Sequence, residues 1–295
     1  MWNSFFRKNK KVAPKPVPQE FDSGSIRAVV VTDLGNIRTN NEDVGLFFRI
    51  ADDQVSAEKG CLLIVADGMG GHQAGEVASQ MAAQIISHEY YKQNGSIEKS
   101  LTKAFETANA EIFDLASKSK SHKGMGTTCT ALVIFEKEIY YAHAGDSRAY
   151  ILRQDGISQI TQDHTYVNEL VRRGEITAEA AATHPERNIL TNAMGTKPTI
   201  RVDTGKYEKN LEESDRLLLC SDGLYDYIKD EEMGAMLSGG TLRDIANEMV
   251  ALAKKRGGHD NITVVLAERI HTAKEAVTKE TRDFDIPATK EYDLS

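Results

Sequence analysis

"CLLIVADGMGGHQAGEVAS", residues 61–79, ends an apolar run in one carboxylate, Asp67, and makes three of the next four residues glycine. Asp-Gly is a strong hairpin signal, and taken alone it favours a plain turn. The residues that follow argue otherwise. Val77, Met81 and Ile85 recur at every fourth position, the spacing of an amphipathic helix. A strand that carries a carboxylate to its own end, then a glycine-rich turn, then a helix, suits a cation or a phosphate. Glycine there lets the backbone and water come close to the ligand.

The 295 residues, 40% hydrophobic, can bury one large core or two small ones. No apolar run approaches the ~18–20 residues of a membrane span. The opening "MWNSFFRKNKKVAPKPVPQE" lacks the long apolar centre of a secretion signal. The formal charge is −8, although residues 1–15 carry Arg7, Lys8, Lys10, Lys11 and Lys15 and no acid. The acidic remainder argues against a nucleic-acid partner and suits a site that holds cations. With Trp2, Phe5 and Phe6 the basic arm has the composition for weak contact with an anionic membrane surface. Pro14, Pro16 and Pro18 prevent a continuous helix there, which favours a disordered leader over residues 1–24. Cys61, Cys129 and Cys220 lie in apolar runs with neither zinc-site nor disulfide spacing. They read as free buried thiols of a cytoplasmic protein.

Strand-like runs fall at "SIRAVVVTDL", "VGLFFRI" and "CLLIVAD", followed by helices over 74–92 and 97–118. In the second helix Leu101, Phe105, Ala108, Ile112 and Leu115 form one face. A meander follows in "GTTCTALVIF", "EIYYAHAGDS" and "AYILRQ". Residues 162–197 break that rhythm as a polar, helical insertion over one end of a sheet. Strands resume at "TIRVDTGKY" and "DRLLLCSD", helices follow near 223–237 and 241–256, and "NITVVLAERI" closes the body. Residues 271–295 read as a loose tail. Strands in two blocks, each followed by a helix pair, do not alternate as a doubly wound fold requires. The expectation is an α+β, four-layer α/β/β/α sandwich of two mostly antiparallel sheets over residues 25–270.

Four more strand ends carry carboxylates. "TDLGNIRTNNEDVG" holds Glu42 and Asp43, "AHAGDSRAY" holds Asp146, "LLLCSDGLYD" holds Asp222 and Asp226, and "GGHDNITVV" holds Asp260. Each alone reads as turn chemistry, and Asp222 as a helix N-cap. If all five ends converge, the carboxylates repel one another unless cations sit among them. An all-oxygen donor set selects Mg²⁺ or Mn²⁺ over zinc. Arg38, in the turn before Glu42, has the planar fork that suits a phosphate dianion. Metals with one arginine suit phosphate-ester hydrolysis, in which a metal-bridged hydroxide attacks phosphorus in line.

At these residues the chain resembles the metal-dependent protein phosphatases, PPM or type 2C, above all the bacterial branch that opposes Hanks-type kinases. "VTDLGNIRTNNED", "VADGMGGHQAGEVAS", "GTTCTALVI", "AHAGDSRAYIL", "THPERNILTNAMGT", "LLLCSDGLYD" and "GGHDNITVVL" match its motifs in order, across about residues 25–270. The resemblance implies the four-layer sandwich and hydrolysis of phosphoserine and phosphothreonine in proteins. It implies two Mn²⁺ or Mg²⁺ ions bridged by Asp67, with the Gly68 carbonyl, Asp222 and Asp260 as further ligands and Glu42 and Asp43 holding metal-bound waters. Arg38 would bind the substrate phosphate. Asp146, Asp226 and Asp222 match a weaker third metal site, and residues 162–197 the flap. Met69 stands where many eukaryotic relatives carry a histidine proposed as general acid, which leaves His72 as a candidate proton donor. The implied partners are phosphorylated proteins and a serine/threonine kinase, the protein itself being a monomer. The alternatives are a phosphatase of anti-sigma-factor antagonists and a phosphopeptide-binding pseudophosphatase.

Overall fold

The computed structural model describes residues 18–50, 53–70 and 74–270. The basic arm and the tail from 271 lie outside them. Two antiparallel sheets form the body. In spatial order the first contains β1 (Gln19–Asp22), β2 (Ile26–Asp33), β12 (Ile262–Arg269), β11 (Arg216–Cys220), β8 (Arg148–Arg153) and β9 (Gly156–Gln159). The second contains β10 (Asp203–Lys206), β7 (Glu138–Ala144), β6 (Cys129–Phe135), β4 (Cys61–Met69) and β3 (Asp43–Phe48), with β5 (Gly126–Thr127) paired to the end of β4.

Successive strand side chains point to opposite faces, so each strand feeds two layers. Along β4, Leu62, Ile64 and Ala66 face α2 (Ala74–Lys92) and α3 (Ile97–Lys118), while Cys61, Leu63 and Val65 face the other sheet. Along β11, Leu218 and Cys220 face α7 (Asp230–Leu237) and α8 (Leu242–Arg256), and Leu217 and Leu219 face inward. The result is helices, sheet, sheet, helices: the expected four-layer sandwich. All three cysteines are free and buried.

The α2 and α3 boundaries agree with the sequence periodicity, but the most deeply buried stripe of α2 is Ala78, Ala82, Ile86 and Tyr90. Met81 and Ile85 sit at its partly buried flank. Alanine lets that helix lie close on the sheet, which the larger residues at 81 and 85 would prevent. Residues 19–22, assigned to the disordered leader, instead form an edge strand antiparallel to β2. Phe21 holds it there by packing against Phe47, ring centroids 5.2 Å apart. The short helix α1 (Asp53–Lys59) and strand β9 carry too few residues for a visible period and were not foreseen. The single helix expected near 223–237 is broken into α6 (Asp222–Tyr225) and α7, the latter restarting at N-cap Lys229 with Asp230, Glu231 and Glu232 in its first turn. Residues 162–197 carry α4 (Tyr166–Arg172) and α5 (Ala178–Ala182), helical as expected.

One glycine sets how closely α6 approaches β12. A Cβ on Gly223 would lie 1.9 Å from the Asn261 carbonyl oxygen, with backbone on both sides and no flexible side chain to yield. Gly223→Ala is therefore expected to lower Tm by about 3–10 °C in scanning calorimetry, from an overpacking cost of ~1–3 kcal/mol. An unchanged Tm would show that the two segments separate freely.

Candidate active site

The alternation that fills the gap between the sheets also builds the site. Inward positions are apolar in mid-strand and turn polar at one end. Leu63 and Val65 give way to Asp67 on β4, and Leu217 and Leu219 to Ser221 after β11. Asp43 lies in register with Asp67, and Ser221 Oγ donates to Asp43 Oδ2 at 2.7 Å. The backbone of Asp67 is held on both sides. Its N–H donates to Thr128 Oγ1 at 3.1 Å, and its carbonyl accepts from Thr127 Oγ1 and from the Thr128 N–H, each at 2.9 Å. Gly68 N–H donates to the Glu42 carbonyl at 3.0 Å. A rigid frame of backbone bonds therefore points the Asp67 side chain out of the end of the gap.

There a cavity of about 220 Å³ is lined by Arg38, Glu42, Asp67, Gly68, Met69, Gly70, Asp146, Asp222 and Asp260, with Thr128, Asn188, Leu190 and Asn261. Of the residues expected from the sequence, these include Arg38, Glu42, Asp67, Gly68, Asp146, Asp222 and Asp260. Asp43 is not on the wall; it is buried behind Asp67 as the partner of Ser221. Asp226 sits at the rim, its Oδ2 3.7 Å from Arg187 of the insertion. His72 lies outside the described residues. His143 and His164 are buried, and both have pKa values lowered by burial, His143 to about 3. Each is held in a network of hydrogen bonds away from the cavity wall.

Four contributors, Asn261, Asn188, Leu190 and Arg148, were not singled out from the sequence. Asn261 knits the Arg38 turn to β12: its Oδ1 accepts from Glu42 N at 2.8 Å, and its Nδ2 donates to the carbonyls of Leu34 and Asn40. Nothing in its sequence position separates it from an ordinary turn asparagine. Asn188 and Leu190 of the insertion line the cavity while Ile189 between them is exposed, an alternation visible in "ERNIL" only in retrospect. Arg148, beneath Asp146, makes three bonds to Asp163 at 2.7–3.1 Å and lies 3.7 Å over the Tyr225 ring.

The electrostatics are those of crowded like charges. Burial, then Asp43, Asp222, Asp146 and Asp260, push Asp67 well above the usual carboxylate range. Burial, then Asp146, Asp260, Asp226 and Asp43, do the same to Asp222. Asp146 is raised to about 7 by burial and the Asp163 charge, and Asp43 to about 6, mainly by burial. Asp222 Oδ1 is buried without a hydrogen-bond partner. An unsatisfied buried carboxylate oxygen costs several kcal/mol unless a proton or cation meets it. Among the described residues no three His, Cys, Asp or Glu side chains close tightly on a common point. Their oxygens instead surround an open volume, which suits Mg²⁺ or Mn²⁺, ions that keep much of their water. No cysteine or histidine is among the described lining residues, so the donors fit hard cations and not zinc.

The comparisons with known proteins agree with this geometry. The family model for protein phosphatase 2C matches residues 27–172. A serine/threonine phosphatase of Listeria innocua is 42% identical over 81% of this chain and 94% of its own length. The structure of the S. agalactiae serine/threonine phosphatase superposes with a TM-score of 0.75 at 38% identity, covering 82% of this chain and 99% of that one. The catalytic domain of the serine/threonine protein phosphatase PstP, solved in complex with two manganese ions, gives a TM-score of 0.70 at 34% identity, covering 84% and 99%. The chain belongs to the protein phosphatase 2C family, in its bacterial branch, and is a protein serine/threonine phosphatase.

Proposed function

We propose that this phosphatase works with Mn²⁺ or Mg²⁺ held in the cavity, on phosphoserine and phosphothreonine placed in proteins by a serine/threonine kinase. The observation that carries the reading is the wall itself: one cationic side chain, Arg38, faces five carboxylates among the described lining residues. Without cations such a wall repels a phosphate dianion. Asp67, the Gly68 carbonyl, Asp222 and Asp260 would hold two ions, with Glu42 contributing through water. Asp146 and Asp226, with Asp222, would hold a weaker third. Asp43, behind the wall, would act by fixing Asp67. When bound, the ions supply positive charge at the phosphoryl oxygens and lower the pKa of water. The chain's own residues do the rest. Arg38 offers its fork to the phosphate, strand β4 holds Asp67 fixed, and the insertion's Asn188 and Leu190 cover one side of the cavity.

Activity toward a phosphopeptide should vanish after treatment with chelator and desalting and return on adding Mn²⁺ or Mg²⁺. Full activity in metal-free buffer would overturn the metal assignment.

Asp67→Asn and Asp222→Asn should each nearly abolish turnover while leaving cooperative unfolding intact. Because each removes one of several crowded charges, the metal-free variants are expected to melt no lower than the wild type. A variant that keeps half the wild-type rate would remove that residue from the ligand set.

Arg38→Ala should raise KM for phosphopeptides about tenfold, the scale of a charge-assisted hydrogen bond, with a smaller fall in kcat. Steady-state kinetics showing a fall in kcat alone would mean that Arg38 acts only in the transition state.

A further inference from the structure

Arg38 has a second relationship in this structure besides its position on the cavity wall. Its Nη2 donates to Asp260 Oδ2 at 2.7 Å, while Asp260 Oδ1 accepts from the Asn261 N–H at 2.8 Å. Both oxygens of a carboxylate assigned to the metals are thus already engaged, one of them by the group assigned to the phosphate. We propose that Arg38 and a divalent ion compete for Asp260, so that an ion on that carboxylate and a phosphate on Arg38 favour one another. The inference rests on the metal-dependent reading above and adds to it a coupling between the two ligands.

The contact is built into the backbone. Asn36 N–H donates to the Gly258 carbonyl at 2.7 Å, and Asn36 Nδ2 donates to the carbonyls of Lys254 and Gly257 at 2.7 and 2.8 Å. These bonds fasten the turn to carbonyls at and just past the C-terminal end of α8. Lys254 reaches back to Asp33 at 2.6 and 2.9 Å. Gly35, at φ +72°, lies so near that a Cβ would stand 2.1 Å from the Asp260 carbonyl oxygen. The turn carrying Arg38 and the turn carrying Asp260 are therefore in contact along their backbones, and the side-chain pair follows from that contact.

Two consequences follow from elementary electrostatics. The guanidinium offsets part of the repulsion among Asp260, Glu42 and Asp67, which all act on it. A divalent cation at Asp260 has to oppose a positive charge 2.7 Å from the oxygen it needs. Whatever draws Arg38 away from Asp260, a phosphate dianion included, then favours the ion, and the ion favours phosphate by the same factor.

Calorimetric titration of the full chain with Mn²⁺ alone tests this without turnover. The four proteins are wild type, Arg38→Ala, Asp260→Asn and the double variant. Arg38→Ala is expected to bind Mn²⁺ two- to fivefold tighter than wild type, about 0.4–1 kcal/mol. The side chains are 49% and 38% exposed, and a pair so exposed is worth no more than this. In the Asp260→Asn background the same substitution should change nothing. Equal or weaker binding by Arg38→Ala overturns the proposal. So does an equal gain in both backgrounds, which would show the field of the charge and not the contact. If Asp260→Asn binds no Mn²⁺ measurably, the comparison in the native background decides. If wild type itself binds none, the metal-centre reading fails, and this inference with it.

Discussion

Repulsion among carboxylates at the open end of the gap between two sheets is the constraint on which the site depends. Burial, and then the charges of Asp43, Asp146 and Asp260, push Asp67 and Asp222 well above the usual carboxylate range, which records the cost of bringing these groups together. A chain left to relax would separate them. The sandwich does not allow it, because each is attached to a strand end or a short helix whose other face is committed to the core. Leu63 and Val65 anchor β4 in the layer between the sheets, and Leu218 and Cys220 anchor β11 under α7 and α8. Hydrophobic burial along the strands thus offsets electrostatic strain at their ends.

Polar side chains finish what the strands begin. Asn261 closes the turn that carries Arg38 and Glu42 onto β12, and Asn36 closes the same turn onto the end of α8. The insertion over the cavity is tied down at both of its ends. His164 accepts from Gly145 N–H through Nδ1, so Nε2 carries the proton that bonds Asp203. At the far end Asn109 of α3 accepts from Gly195 N–H and donates to the carbonyls of Lys197 and Pro198. Between these posts lie Asn188 and Leu190, on the wall, and Arg187, beside Asp226. Groups that reach the cavity therefore meet a segment held at its ends and also beside Leu190, where the Tyr166 N–H donates to the Ile189 carbonyl and the Thr191 N–H to the His164 carbonyl, each at 2.8 Å.

Much of this was legible in the residues. Helices α2, α3 and α8 announce themselves by a 3.6-residue period kept over four or more turns, and the long strands by apolar runs that end in Asp or Gly. Elements of four to seven residues, such as β1, β9 and α1, carry no period long enough to read. Their place is set by contacts across the chain, as Phe21 on Phe47 shows. The break after Tyr225 was equally hidden, because Asp-Tyr-Ile-Lys-Asp has no glycine or proline to mark it.

For the site the division is sharper. The sequence by itself determined which groups are available: five carboxylate-bearing strand ends, one arginine in the turn before Glu42, and glycines where backbone has to approach closely. Those are properties of residue type and spacing, and they point to hard cations and a phosphate ester before any coordinates exist. Only the tertiary structure decided which carboxylates reach the cavity. Asp43 and Asp67 are paired side by side at strand ends, yet only Asp67 reaches the wall, while Asp43 is taken up by Ser221. Only the structure showed that Arg38 rests on Asp260, 222 positions away in sequence. A side chain's chemistry is local, but its neighbours are chosen by strand pairing and by backbone contacts between turns, and those follow from how the whole core packs.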